Sequence, residues 1–343
     1  MRRCWISSGT AVGLLLLSLQ LVPQAVAQPD VVEVCRFADA RLAEISGLTR
    51  SIRHPNILWA INDSSGGPFV YAVDERTCAI RARLRIDGAQ ARDFEAITSG
   101  RDERGRPTLW VGDIGDNRDS WPDVQVLSVR EPKRLMDQSV SAQRWSFTYA
   151  DRPHDAETLI ADPMSPRLWI ATKQLASGAL VSLAPVLAGG SQTEELSRVG
   201  ALITDGAMSP DGSRYVLRDY VDARIFTGPP PGQEILRISL PVQPQGEAIT
   251  WSADGGALLI ASEGDQRLLQ VSIPDAASPT QQAAADVPNA DVTNTEVIAA
   301  PSSDPTSDLS TTATVALVVL VIAVLSAVLL VAERARRRDA PEE

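Results

Sequence analysis

Five short segments of this 343-residue chain open alike: Ser46-Gly47-Leu48, Glu95-Ala96-Ile97, Glu157-Thr158-Leu159, Gly206-Ala207-Met208 and Glu247-Ala248-Ile249. Three start on a carboxylate and one on a hydroxyl; the Gly206 segment carries Asp205 one residue early. Oxygen donors repeated at one place in a repeating unit suit a hard cation, which makes Ser46, Glu95, Glu157, Asp205 and Glu247 candidate metal ligands. Two carboxylates ~6 Å apart repel by roughly 3 kcal/mol at an effective dielectric of ~20. Three such pairs would cost on the order of 8 kcal/mol, comparable with the whole stability of a domain. If the elements bring these groups that close, protonation, a bridging Arg or Lys, or a metal must relieve the repulsion. Carboxylate-rich oxygen donors favour Ca2+ over zinc or copper. The alternative, carboxylates hydrogen-bonded to strand-start amides and water with no metal, stays open.

Other residue types narrow the chemistry. Asp113-Ile114-Gly115-Asp116-Asn117 resembles half of a calcium loop, but position twelve is Val124 rather than Glu, so a turn is the better reading. Only His54 and His154 occur, which excludes a histidine-rich metal site. His154 stands just before Asp155 and Glu157, yet no nucleophile-elbow motif accompanies it. Lys173 and Arg218 are suited either to hold an anionic group beside a metal or to balance neighbouring acids. Trp59, Trp110 and Trp169 share one place in the repeat, which favours packing over ligand stacking.

The elements that position these residues are strands. A polar turn follows each opening, as in Ser209-Pro210-Asp211-Gly212 and Ser252-Ala253-Asp254-Gly255. A second apolar strand comes next (Leu58-Trp59-Ala60-Ile61, Leu109-Trp110-Val111, Leu168-Trp169-Ile170, Tyr215-Val216-Leu217, Leu258-Leu259-Ile260), then a third and, in most units, a fourth. The steps between openings are 49, 62, 49 and 41 residues, and an insertion over 130–143 lengthens the second. Four-stranded units at this period predict a β-propeller. Five blades fit, the strand at 31–37 completing the last unit and closing the ring; six remain open if the long unit hides another. In an antiparallel blade the first strand's start and the second strand's end share one edge. The repeated acids should therefore meet at one channel mouth beside Asn62, Asp63, Asp113, Asp116, His154, Lys173, Arg218, Asp219 and Glu263, the expected ligand-binding face.

As a set, Leu58-Trp59-Ala60-Ile61-Asn62-Asp63-Ser64, Asp93-Phe94-Glu95-Ala96-Ile97, Val111-Gly112-Asp113-Ile114-Gly115-Asp116-Asn117, Asp155-Ala156-Glu157 and Gln245-Gly246-Glu247-Ala248-Ile249 resemble a family of secreted bacterial β-propeller proteins of WD-repeat-like type. That resemblance spans about residues 45–273 and implies the fold, not an activity. A fainter similarity is to the five-bladed calcium-activated nucleotidases (apyrases), which hold a channel calcium with Ser and Glu from successive blades. Ser46, Glu95, Glu157 and Glu247 stand at the corresponding places, and Gly206 departs from them. No match to that family's substrate site is seen, so nucleotide hydrolysis is analogy alone.

The ends of the chain set its address. Arg2-Arg3, the apolar run 11–22 and Ala25-Val26-Ala27 form a secretory leader, with cleavage expected after Ala27. Residues 313–332 are uncharged and apolar, the length of a membrane span, and four arginines follow at 334 and 336–338. The expected order is leader 1–27, extracellular propeller 28–274, Ala/Pro/Ser/Thr-rich stalk 275–312, transmembrane helix 313–332 and cytoplasmic tail 333–343. Without the two leader arginines, and without four arginines and four acids of the tail, 26 basic and 39 acidic residues remain, a net charge of −13. That argues against a nucleic-acid partner. Cys35 and Cys78 are left as a disulfide candidate in an oxidising compartment. Two functions stay in play: a cell-surface module binding a protein or small molecule, with or without a channel cation, and a cation-dependent hydrolase of a phosphoester or ester. Turnover sensitive to Glu95→Gln would separate them.

Overall fold

The computed structural model describes residues 29–63 and 66–274. These fall within one compact unit, Met1–Ser278. The expected leader, the stalk, the transmembrane helix and the tail lie outside the described residues. Among the described residues no helix is long and apolar enough to cross a membrane.

The regular structure of the described chain is almost entirely strand. In order these are β1 (Val31–Arg36), β2 (Ile45–Arg50), β3 (Ile57–Asn62), β4 (Phe69–Asp74), β5 (Ile80–Asp87), β6 (Phe94–Arg101), β7 (Pro107–Asp113), β8 (Val124–Arg130), β9 (Gln138–Phe147) and β10 (Ala156–Ala161). Then come β11 (Leu168–Thr172), β12 (Ala179–Ser182), the one-turn helix α1 (Ala184–Leu187), β13 (Glu194–Arg198), β14 (Asp205–Met208), β15 (Arg214–Arg218), β16 (Asp222–Thr227), β17 (Glu234–Ser239), β18 (Gln245–Trp251), β19 (Ala257–Glu263) and β20 (Asp265–Ser272).

Successive strands pair antiparallel in runs of four: β2 to β5, β6 to β9, β10 to β13 and β14 to β17. The last sheet takes β18, β19 and β20 and borrows β1 from the other end of the chain. The opening strands β2, β6, β10, β14 and β18 neighbour one another in sequence, and β18 returns to β2. The sheets therefore wrap round an axis with the opening strands innermost, a propeller-like arrangement.

Burial explains why the second strands β3 and β11 read as nearly unbroken apolar runs. β2, β3, β10 and β11 are buried along nearly their whole length, whereas the outer strands β5 and β9 alternate buried and exposed. Trp59 and Trp251 are fully buried and each satisfies its indole N–H in a neighbouring sheet or loop, on Glu131 at 2.9 Å and on the Ala207 carbonyl at 3.0 Å. The polar turns are built alike: Ser209 Oγ donates to Asp211 Oδ1 at 2.6 Å and Ser252 Oγ to Asp254 Oδ1 at 2.6 Å, with Gly212 and Gly255 at φ +72° and +71°.

One stretch differs from its sequence reading. Residues 130–143 look like an insertion, but their second half is already β9, and its start pairs in parallel with β5 from Leu84↔Gln138 to Asp87↔Ser141. The alternation in Ser139-Val140-Ser141-Ala142 suits such a strand. It covers the edge of β5 and joins two runs into one eight-stranded sheet.

Cys35 in β1 and Cys78 in the β4–β5 turn form a disulfide with Cα atoms 5.6 Å apart. It ties the strand that completes the last sheet to the first sheet.

Candidate functional site

Four of the inner strands begin with the same irregularity. Pairing steps from Ile45↔Asn62 to Gly47↔Ile61 in β2, leaving Ser46 unopposed. It steps from Phe94↔Asp113 to Ala96↔Gly112 in β6, leaving Glu95 unopposed. The same slip leaves Glu157 unopposed in β10 and Glu247 in β18. A bulge inserts one residue, bends the strand and re-aims the side chain. β14 has no bulge: Asp205↔Arg218 and Gly206↔Leu217 pair without a break. Asp205 accordingly serves the backbone, its Oδ2 accepting from Ile249 N at 2.7 Å and its Oδ1 from Gly206 N at 2.7 Å.

The bulges gather carboxylates. Asp63, just past β3, Asp93, just before β6, and Glu95 each place an oxygen within 4.8 Å of the others. That spacing fits inside the roughly 5 Å diameter of a Ca2+ coordination sphere. Glu95, Glu157 and Glu247 are buried, each 4–6% exposed. Burial, then Glu157, Asp63, Asp93 and Glu247, push the Glu95 carboxyl well above its ordinary range. Burial, with Asp63 and Asp155 adding repulsion, brings Asp93 to about 7. Burial and then Glu157 bring Glu247 to about 8. Burial also brings Glu157 to about 7, with Lys173 pulling the other way. The loop after β7 passes close beneath: a Cβ on Gly115 would lie 2.5 Å from Asp93 Oδ2 and 2.8 Å from Glu95 Cγ, so glycine leaves the room these carboxylates occupy.

Lys173, in the residue after β11, donates its ammonium to Glu157 Oε1. Its Nζ lies 5.6 Å from the centroid of the Tyr220 ring. Burial opposes the ammonium charge, but Glu157 and Tyr220 outweigh it and hold Lys173 well above its normal value. Burial pushes the Tyr220 phenol up to about 12. The other oxygen of Glu157, Oε2, is buried and has no hydrogen-bond partner among the described residues.

The remaining expected face residues divide by what they touch. Glu263 pairs across from Gln245 and adds to the repulsion on Glu247, so it belongs to the cluster's edge. Arg218 is fully buried and its Nη1 donates to the carbonyls of Ala248 at 3.0 Å and Ala261 at 3.4 Å, joining the β14–β17 sheet to the β18–β19 pair. Burial lowers its guanidinium to about 10. Asp113 accepts from Asp93 N at 2.7 Å and from the Gln125 amide, fixing the start of β6. Asp116 Oδ2 accepts from Ser120 N and Trp121 N at 2.7 and 2.8 Å, capping a turn. Asp219 caps another turn through Val221 N and Asp222 N at 2.8 and 2.7 Å. Asn62 donates its amide to the Arg41 carbonyl. His154 is buried edge-on to Tyr149 with Nε2 2.9 Å from Asp151 Oδ1. His54 lies elsewhere, with Nε2 2.8 Å from the Pro132 carbonyl.

Asp93 and Tyr220 are absent from the sequence-derived site. For Asp93 a signal exists: Asp93-Phe94-Glu95, Asp155-Ala156-Glu157 and Gln245-Gly246-Glu247 repeat a polar residue two places before the bulge glutamate. Tyr220 has no counterpart in the other units and carries no such signal.

No family model matches the chain, and no curated protein matches it. Solved structures with similar folds include the PQQ-bound aldose sugar dehydrogenase of Streptomyces coelicolor, at 11% identity over 72% of this chain and 98% of that one, with a TM-score of 0.43. A gluconolactonase of Xanthomonas campestris is similar at 12% identity over 68% of this chain and 73% of that one, TM-score 0.41. A chain of a mitotic checkpoint complex is similar at 13% identity over 66% and 61%, TM-score 0.38. At these values none of them bears on the chemistry at the ring mouth.

Proposed function

We propose that this chain is a cell-surface binding module: a five-bladed propeller outside the cell that holds Ca2+ at one mouth of its channel and captures a protein or small-molecule ligand there. In this reading a leader over 1–27 is removed, a stalk over 275–312 raises the propeller from the membrane, a single helix over 313–332 anchors it, and the tail 333–343 is cytoplasmic. Five four-stranded units follow from treating the eight-stranded sheet as two blades bridged by β5 and β9, with β1 completing the last blade. The observation that carries the cation is the meeting of Asp63, Asp93 and Glu95 oxygens within 4.8 Å, in a buried setting with Glu157 and Glu247 nearby. Buried like charges need a counter-charge or protons, and Lys173 is already engaged by Glu157. An ion would take these carboxylates as oxygen ligands, and the buried, unpartnered Oε2 of Glu157 supplies one more donor.

A second reading, a cation-dependent hydrolase of a phosphoester or ester, is favoured by one feature. Lys173 and Tyr220 stand beside the carboxylates, where an ammonium and a phenol would meet an anionic group presented to the ion. Metal content of the full chain, purified in detergent and equilibrated with calcium, tests the shared premise. About one calcium per chain, lost in Glu95→Gln, is expected; no bound calcium in the millimolar range would remove both readings. Given the ion, turnover of phosphomonoesters or carboxylic esters that vanishes in Glu95→Gln would replace the binding module with the hydrolase.

A further inference from the structure

A cleft lies at the other end of the strands, away from the carboxylates of the mouth. It has a volume of about 640 Å³, within the ~300–1,000 Å³ of small-ligand sites. Glu95 opens β6 at the mouth, and the cleft begins at the β6–β7 turn, seven residues on at Asp102; at ~3.3 Å per strand residue the two sites are about 20 Å apart.

Strand register explains how the cleft is furnished. Thr108 pairs with Arg130, Trp110 with Ser128, and Ser128 with Gln143. Residues paired across strands, and residues two apart along a strand, share one face of a sheet. Thr108 and Trp110 on β7, Ser128 and Arg130 on β8, and Gln143 and Trp145 on β9 therefore form one surface. Further in, this face packs against the β10–β12 sheet through Leu159, Leu168 and Ile170. At its outer end the packing gives way to the cleft, flanked by α1 and the β10–β11 turn.

The cleft's chemistry is specific. Trp110 and Trp145 lie with ring centroids 5.3 Å apart at 39°, and Trp145 is half-buried, leaving part of its ring to a ligand. Arg106 and Arg167 are held by Asp102 and Asp162. Arg104 and Arg130 are exposed, and among the described residues neither guanidinium has an ion-pair partner. A chain of net charge −11 thus presents two unpaired guanidiniums beside an indole face, against one exposed acid of the lining, Glu103. The Ser128 hydroxyl and Gln143 amide, on the same face, offer hydrogen bonds to hydroxyl groups.

We infer that this cleft binds a sugar ring carrying an anionic group. The ring's C–H face would lie on Trp145, Ser128 and Gln143 would meet its hydroxyls, and Arg104 and Arg130 would take the carboxylate or phosphate. A neutral sugar leaves the guanidiniums without use, and an acidic peptide leaves the indole without a matching ring.

The test uses the full chain in detergent at low salt, titrated with tetragalacturonate, mannose 6-phosphate, neutral galactotetraose and tetraglutamate, read by tryptophan fluorescence and calorimetry. At least one anionic sugar is expected to bind saturably below about 1 mM, about tenfold or more tighter than galactotetraose and tetraglutamate. Which of the two binds tells carboxylate from phosphate. Arg104→Gln and Arg130→Gln should each weaken binding several-fold and Trp145→Ala about tenfold or more, while Arg81→Gln, removing the same charge from exposed β5, should leave it unchanged. The two exposed arginine variants keep the test decisive if Trp145→Ala fails to fold. Equal binding of galactotetraose or tetraglutamate, or no saturable binding of either anionic sugar, would overturn the inference.

Discussion

Burial makes acids at the ring mouth titrate near neutrality, where acids on a surface would not. Asp93 and Glu157 at about 7 and Glu247 at about 8 all lie above the ~4 of an unfolded carboxylate. The folded chain therefore keeps protons that the unfolded chain releases. The stability these groups contribute is complete below pH ~4 and is lost as pH rises through ~7–8. Asp211, lowered to about 2 by the hydroxyls of Ser209 and Ser213, works in the opposite direction: its contribution is present above pH ~4 and lost in acid. In chelator, the melting temperature should fall between about pH 5 and pH 8, and calcium should abolish that fall because it binds the ionised carboxylates. A chelated profile that is flat or rises over this window would mean that the carboxylates are ionised without help. At this scale the sequence shows Glu95, Glu157 and Glu247 as one repeated position. Asp63 is harder to read, since its approach to Asp93 depends on where β3 ends relative to the neighbouring sheet, which no local pattern encodes.

Bulges are the element that turns a repeated acid into a cluster. The β14 strand makes the comparison within one chain: lacking a bulge, it turns Asp205 onto the amides of Ile249 and Gly206. Ser46 has the bulge and no charge, its hydroxyl donating to the Phe94 carbonyl at 3.1 Å. Ser46→Glu should therefore add a carboxylate to the same mouth. The chelated variant should lose about 2 kcal/mol in urea unfolding, from a lost buried hydrogen bond and an added buried charge. Its calcium-induced rise in melting temperature should exceed that of the unchanged chain. An unaltered calcium response would mean that residue 46 is aimed elsewhere. The second strands β3 and β11 are legible from their nearly unbroken apolar runs, because both faces are buried. The bulges are not, because a one-residue slip leaves the apolar pattern on either side intact. The start of β9 was hidden for a related reason: its exposed, alternating residues resemble a polar insertion until β5 supplies a partner.

The whole ring depends on joining the two ends of the described chain. β1 reaches across to β20, and the Cys35–Cys78 bond fastens it to the first sheet over a separation of 43 residues. Replacing both cysteines by serine should cost roughly 3–4 kcal/mol in urea unfolding, the loop-closure entropy of a crosslink of that span. A loss under about 1 kcal/mol would mean that strand pairing alone holds the closure. Closure by the strand at 31–37 was legible because that strand precedes the first opening as each fourth strand precedes the next. The outer-end cleft was not, because Trp110 reads as a packing residue in its own strand and meets Trp145 only through the register of three strands. Calcium capture at the mouth requires that the carboxylates there act as ligands. The most direct measurement is thermal unfolding of the full chain near pH 8 in chelator and in millimolar calcium, beside Glu95→Gln. The expected result is a calcium-dependent rise equivalent to about 3 kcal/mol at a hundredfold excess over Kd, with little or no rise in Glu95→Gln, whose chelated form is the more stable. Identical melting with and without calcium, or an equal calcium effect in Glu95→Gln, would contradict it.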